Sequence, residues 1–239
     1  MTAPQQLFPS RILLLTGHYG TGKTECAVNL ALALAAAGEK TVLADLDIVN
    51  PYFRSRERKD RLTAAGIRVI TSSQACSDAD VPAIPAEVNA IFQDRSCRGV
   101  LDIGGDPAGA RVLARFRPQI QQEDCCLLYV SNANRPEVRE ADRALSCLRS
   151  IEDVTGLKCG GIINNTHLCG ETTVEDIRRG AALAEELSRS AGIPVVCHTA
   201  EASIAPQLPD LTVWPIEIFM KKPWEVLPTG MKGKERRLK

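Results

Sequence analysis

Residues 13–38, LLLTGHYGTGKTECAVNLALALAAAG, constrain the fold more than any other part of the chain. An apolar run enters a glycine-rich turn and leaves it as an alanine- and leucine-rich helical pattern that stops at Gly38. The run before the turn, RILLLTG, lacks the apolar–polar alternation of a half-exposed strand and fits a strand covered on both faces. Such a strand needs helices above and below it. The rest of the chain supplies them by repetition.

Aliphatic runs and helical patterns alternate from end to end. KTVLADLD predicts a second strand, SRERKDRLTAAG a polar helix, IRVI a short strand, PAEVNAIFQDR a helix and RGVLDIGG another strand. PAGARVLARFRPQI reads as one helical stretch, CCLLYVSN as a strand, and PEVREADRALSCLRSI as a helix opened by Pro136. KCGGIINN and TVEDIRRGAALAEELSRSAG repeat the unit, and IPVVCHT follows as a strand. LTVWPIEI predicts an edge strand, where Pro215 is tolerable. This unbroken alternation predicts an α/β fold: a single doubly wound, mostly parallel sheet of about seven to eight strands with helices on both faces.

At 239 residues, with 44% hydrophobic and 24% charged side chains, the chain suits one well-packed domain. The expected division is an N-terminal extension over 1–9, the domain over 10–220 and a basic tail over 221–239, ending KGKERRLK. The formal net charge is zero, so no global field points to nucleic acid or an acidic membrane. The nine cysteines are scattered and never form CxxC. No signal-peptide pattern precedes the first strand, and no apolar run approaches the ~18 residues of a spanning helix. The expectation is a cytoplasmic chain with reduced thiols, without a nucleic-acid or membrane partner.

Gly17-His18-Tyr19-Gly20-Thr21-Gly22-Lys23-Thr24 fits the phosphate-loop pattern G-x-x-x-x-G-K-[ST], with a strand before it and a helix after. Glycines let the backbone curl so that N–H groups point inward, and the helix adds its positive N-terminal end. Lys23 would reach the β- and γ-phosphates and the Thr24 hydroxyl would ligate Mg²⁺. Asp102, after the apolar run of RGVLDIGGD, is the candidate second metal residue, with capping as its bland alternative. Asp106 reads as the N-cap of the helix that begins at Pro107. Asp45 and Asp47 end the strand after the loop helix. A carboxylate there either orients an attacking water or serves as a polar strand end.

Together these pieces resemble the MinD/ParA and CobQ/CobB group of P-loop ATPases, which includes Mrp-type and nitrogenase iron-protein relatives. VLADLDI is similar to the group's VLLxDxDxx strand, VLDIGG to its Walker B strand, and GGIINN to a strand end whose Asn meets the base. The resemblance spans residues 10–200. It implies ATP with Mg²⁺, Asp47 and Lys23 as catalytic residues, and a nucleotide site of residues 17–25 (Glu25 included) with Asn165, neighbour to Asn164. It also implies nucleotide-dependent homodimers.

The group's loop reads GKGGxGKT, and His18 stands where it has an extra lysine. His18 therefore either contacts phosphate or faces solvent or a partner. Arg54 and Arg56 supply charge near the γ-phosphate or form a wet helix face, while His167 lies in a loop near the base and His198 reads as structural. Three functions fit: a slow ATPase switching an unidentified protein partner; an ATP-dependent small-molecule ligase of the CobQ or dethiobiotin-synthetase kind; and a non-hydrolysing nucleotide-binding regulator.

Overall fold

The computed structural model describes residues 3–47, 59–71 and 87–219. Eight strands form one sheet: β1 (Ile12–Thr16), β2 (Thr41–Leu46), β3 (Arg68–Thr71), β4 (Arg98–Ile103), β5 (Cys125–Ser131), β6 (Cys159–Asn164), β7 (Val195–Glu201) and β8 (Val213–Ile216). Their order is β3-β2-β4-β1-β5-β6-β7-β8, and every pairing is parallel. The chain leaves β1 for one wing of the sheet, returns to β4 beside it, and builds the other wing from β5 onward. The reversal flanks β1, the place where open α/β sheets form a crevice at their C-terminal ends.

Alternating side chains of β1 explain the double winding. Leu13 and Leu15 pack with Phe8, with Leu62 of α3 (Lys59–Ala64) and with α2 (Lys23–Ala36), which lies on one face. Ile12 and Leu14 face the opposite side, toward α4 (Glu87–Gln93), α8 (Ala141–Thr155) and α9 (Val174–Ala191). All five β1 residues are buried, as an uninterrupted apolar run requires. Ahead of the sheet, α1 (Pro4–Leu7) leads into Phe8, which meets Trp214 edge-on at 5.2 Å. At the far edge, Pro215 sits in β8, which among the described residues pairs with β7 alone.

Two helical expectations are corrected. The stretch after Asp106 is not one helix but three: α5 (Pro107–Ala110), α6 (Val112–Arg115) and α7 (Arg117–Gln122). Pro118 lacks an N–H and would clash with the preceding turn, so the helix must restart there. Pro136 does not open α8, which begins at Ala141. The intervening residues form a turn, with Val138 N bonded to Arg135 O at 3.0 Å, and the Val138 side chain is buried in the core. The apolar stripe of α8 starts only at Ala141 and continues through Ala144, Leu148 and Ile151. Among the described residues, eight cysteines are free, and no helix is long and apolar enough to cross a membrane.

Candidate functional site

The glycine-rich turn lies between β1 and α2, at the C-terminal edge of the sheet. Gly22 is the N-cap of α2 with φ of 87°, a left-handed conformation that glycine adopts without a Cβ penalty. No side chain caps the first turn of this 14-residue helix. By contrast, α9 is closed by a Thr173–Asp176 capping box, and Asp106 caps α5 by accepting from Gly109 N, as its position predicted. An uncapped helix start behind a glycine turn leaves N–H groups for an anion.

Side chains behind the turn hold its carbonyls. The His18 carbonyl accepts from Thr21 Oγ1 at 2.9 Å and Lys23 Nζ at 3.4 Å. The Gly20 carbonyl accepts from Arg135 Nε at 2.5 Å, and the Thr21 carbonyl from Asn165 Nδ2 at 2.8 Å. Asn165 Oδ1 in turn accepts from Thr199 Oγ1 at 2.5 Å. Asn165 is fully buried. Base contact by its amide must therefore use the hydrogen and lone pair left over from these bonds.

On the β4 side the chemistry is acidic. The Thr24 hydroxyl donates to Asp102 Oδ2 at 2.6 Å, and both residues are buried. Asp102 Oδ1 is buried without a hydrogen-bond partner among the described residues. Burial first, then the Asp45 carboxylate opposite it in the β2–β4 register, pushes the Asp102 carboxyl well above its ordinary range; Lys23 and Thr24 act the other way. A buried carboxyl with unused lone pairs beside a hydroxyl suits a hard divalent cation with oxygen ligands. Lys23 is buried beside the β4–α5 connection: a Cβ on Gly105 would lie 2.6 Å from its Nζ. Asp47 directly follows β2, donates its N–H to Asp45 Oδ1 at 3.3 Å and lies beside Gly104. Lys23, Thr24, Asp47 and Asp102 are thus gathered at neighbouring strand ends.

The remaining candidates are placed as follows. The Glu25 carboxylate accepts from Phe219 N at 2.7 Å, in the segment after β8, so its contribution to an anion would be its main-chain amide. His18 Nδ1 donates to the Tyr19 carbonyl at 3.0 Å, and Tyr19 is exposed. Both line a cavity of about 440 Å³ with Gly105, Arg143 and Cys147. His198 is buried against Asn164 Nδ2 at 3.1 Å. Arg54 and Arg56 lie outside the described residues. Arg135 and Thr199 were not anticipated; the usable signal was their position just past, or at the end of, strands that reach the same sheet edge.

No protein-family model matches the chain, and no curated protein matches it significantly in sequence. Solved structures do resemble it. The cell division protein FtsY of Thermotoga maritima is 20% identical with a TM-score of 0.54, covering 79% of this chain and 61% of its own. The signal recognition particle 54 kDa protein of Aeropyrum pernix, in complex with GDP, is 21% identical with a TM-score of 0.51, covering 82% of this chain and 43% of its own. FlhF complexed with GTP and Mg²⁺ is 14% identical with a TM-score of 0.52, covering 84% of this chain and 70% of its own. The chain therefore spans less than two thirds of the first two. At these identities the likeness defines architecture, and the architecture is the α/β fold of P-loop nucleoside triphosphatases.

Proposed function

We propose that the chain binds a Mg²⁺–nucleoside triphosphate, ATP by its resemblance to the MinD/ParA and CobQ/CobB group, and hydrolyses it slowly as a switch on a protein partner. The observation that carries this reading is the buried Thr24–Asp102 pair, with Asp102 Oδ1 left unpartnered beside the lysine of the glycine turn. Thr24 and Asp102 would hold the cation, which when bound supplies positive charge to the phosphate oxygens. The turn amides and Lys23 would bind the phosphates, with His18 and Tyr19 bordering the terminal one. Asp47, beside Gly104, would orient the attacking water, and Asn165 would meet the base.

The connections after Asp47 and Asp102 are the natural switch elements, since both start where a terminal phosphate would end. A nucleotide-dependent homodimer across this edge is the simplest partner complex. The cavity beside Gly105 favours one second reading, a small-molecule ligase in which an acceptor lies next to the terminal phosphate. Turnover of ATP by wild type and Asp47→Ala, with binding measured in parallel, tests the proposal. The variant should keep ATP and lose roughly 100-fold or more of its turnover, the scale of a lost positioning contact. Unchanged turnover would remove Asp47 from catalysis and leave a non-hydrolysing regulator. Turnover that needs an added carboxylic acid would favour the ligase.

A further inference from the structure

The loop between β6 and α9 carries a histidine whose tautomer can be read from its surroundings. His167 Nδ1 accepts a hydrogen bond from Cys169 N at 3.1 Å. An accepting ring nitrogen carries no proton, so the neutral ring has its proton on Nε2. Burial, then the Arg135 charge, lowers the His167 pKa to about 4, which keeps the ring neutral at ordinary pH. Nε2 borders the glycine turn: a Cβ on Gly22 would lie 3.2 Å from it. Among the described residues Nε2 has no hydrogen-bond partner. A committed donor therefore stands beside the helix start with nothing to donate to.

The backbone is strained to achieve this. Cys169 has φ of 55°, the sole positive-φ residue other than glycine among those described. A side chain in that region crowds the following carbonyl oxygen, so the surroundings must hold it. Thr172 does so: its hydroxyl accepts from Leu168 N at 2.9 Å and donates to the Cys169 carbonyl at 2.6 Å. What the strained residue delivers is its N–H, aimed at His167 Nδ1. Strain spent on orienting one ring nitrogen points to a task for the other.

Arg135 stands nearby on the same side of the turn. Its Nε is held by the Gly20 carbonyl, and no other hydrogen bond ties its guanidinium among the described residues. Direction across the sheet then decides the ligand. Lys23, Gly105 and the Thr24–Asp102 pair mark the terminal-phosphate end on the β4 side of β1. Arg135 and His167 follow β5 and β6 on the opposite side, where the other end of a bound nucleotide must lie.

We infer that Arg135 and His167 form a nucleoside clamp, with Nε2–H of His167 donating to a ribose or base acceptor and the guanidinium plane covering the ring. The inference rests on the triphosphate reading above. It extends that reading to the nucleoside, using a neutral donor that does not distinguish charge and a planar cation suited to aromatic faces.

Calorimetry with two probes separates the two claims: Mg²⁺–ATP, and Mg²⁺–tripolyphosphate, which has no nucleoside. His167→Ala should weaken ATP binding about five- to tenfold, the scale of one lost hydrogen bond, while tripolyphosphate stays within about twofold. His167→Gln, which keeps an N–H donor, should recover most of the ATP loss. Arg135→Ala also frees the Gly20 carbonyl, so both probes should weaken, ATP more than tripolyphosphate. In wild type, ¹⁵N resonances should report an unprotonated Nδ1 and a protonated Nε2 that shifts with ATP and not with tripolyphosphate. Equal losses on both probes in His167→Ala, or no loss on either, would overturn the clamp while leaving the phosphate site intact. If wild type binds neither probe, the triphosphate reading itself falls.

Discussion

On one side of β1 the C-terminal strand ends carry Asp45, Asp47 and Asp102; on the other they carry Asn164, Asn165, His198 and Thr199. Both sets are buried. On the amide side, Asn164 is bonded to His198, Thr166 and Ile177, and Asn165 to Thr21 and Thr199. On the acidic side, Asp102 has one oxygen satisfied and one not. A buried polar network is stable when every member is paired, and an unpaired buried carboxylate is not. The Asn164–Asn165 network is therefore satisfied within itself, and among the described residues the atoms left open at this edge include Asp102 Oδ1 on one side of β1 and His167 Nε2 and Asn132 Nδ2 on the other.

The largest expected effect falls on the acidic half. Lys23→Ala should weaken Mg²⁺–ATP binding at least about 100-fold, because a lysine among phosphates makes more than one charge-assisted bond. Near-normal affinity by calorimetry would break the assignment of that half. Next, Asp102→Ala should flatten the Mg²⁺ dependence of ATP affinity by about 10-fold or more, the scale for residues that support a metal. Titration with and without a chelator checks this.

The amide half should respond less. Asn165→Ala frees the Thr21 carbonyl and should lower affinity for every nucleotide by roughly fivefold, one hydrogen bond's worth. An accompanying loss of discrimination between ATP and GTP assigns base reading to Asn165, whereas a uniform loss leaves it as a brace for the turn.

The smallest effects are on stability. In chelator at neutral pH, Asp102→Asn should raise the melting temperature by about 2–4 °C per kcal/mol of relieved charge burial, because it removes a carboxylate held against Asp45. A lowered melting temperature would mean that the acidic half is satisfied without metal. On the amide side, burial depresses both His167 and His198. Between the ordinary value of 6.5 and about 4 the unfolded chain then binds more protons at His167 than the folded one. Stability should therefore fall as pH is lowered through that window. His167→Gln should flatten the slope of melting temperature against pH, and an unchanged slope would show that His167 is not held neutral.

The acidic half was the more legible because its signals are local. GHYGTGKT is contiguous, and Asp102 announces itself at the end of an apolar run in RGVLDIGGD. The two helices that the sequence misplaced depend on longer-range facts. Pro118 breaks a pattern that looks continuous, and α8 waits for Ala141 because Arg135 and Val138 are engaged elsewhere.

What the sequence determined alone is the α/β alternation, the buried parallel strands and the glycine turn with its lysine, since each is encoded in neighbouring residues. What only the tertiary structure decided is who stands behind that turn. Arg135 meets Gly20 across 115 residues, and Asn165 meets Thr21 across 144. Strand order brings these partners together, and strand order is settled by packing both faces of the sheet, which no local pattern records. The same holds for the His167 proton: its position depends on the left-handed Cys169 and the Thr172 hydroxyl, a conformation that surrounding bonds impose against the residue's own preference.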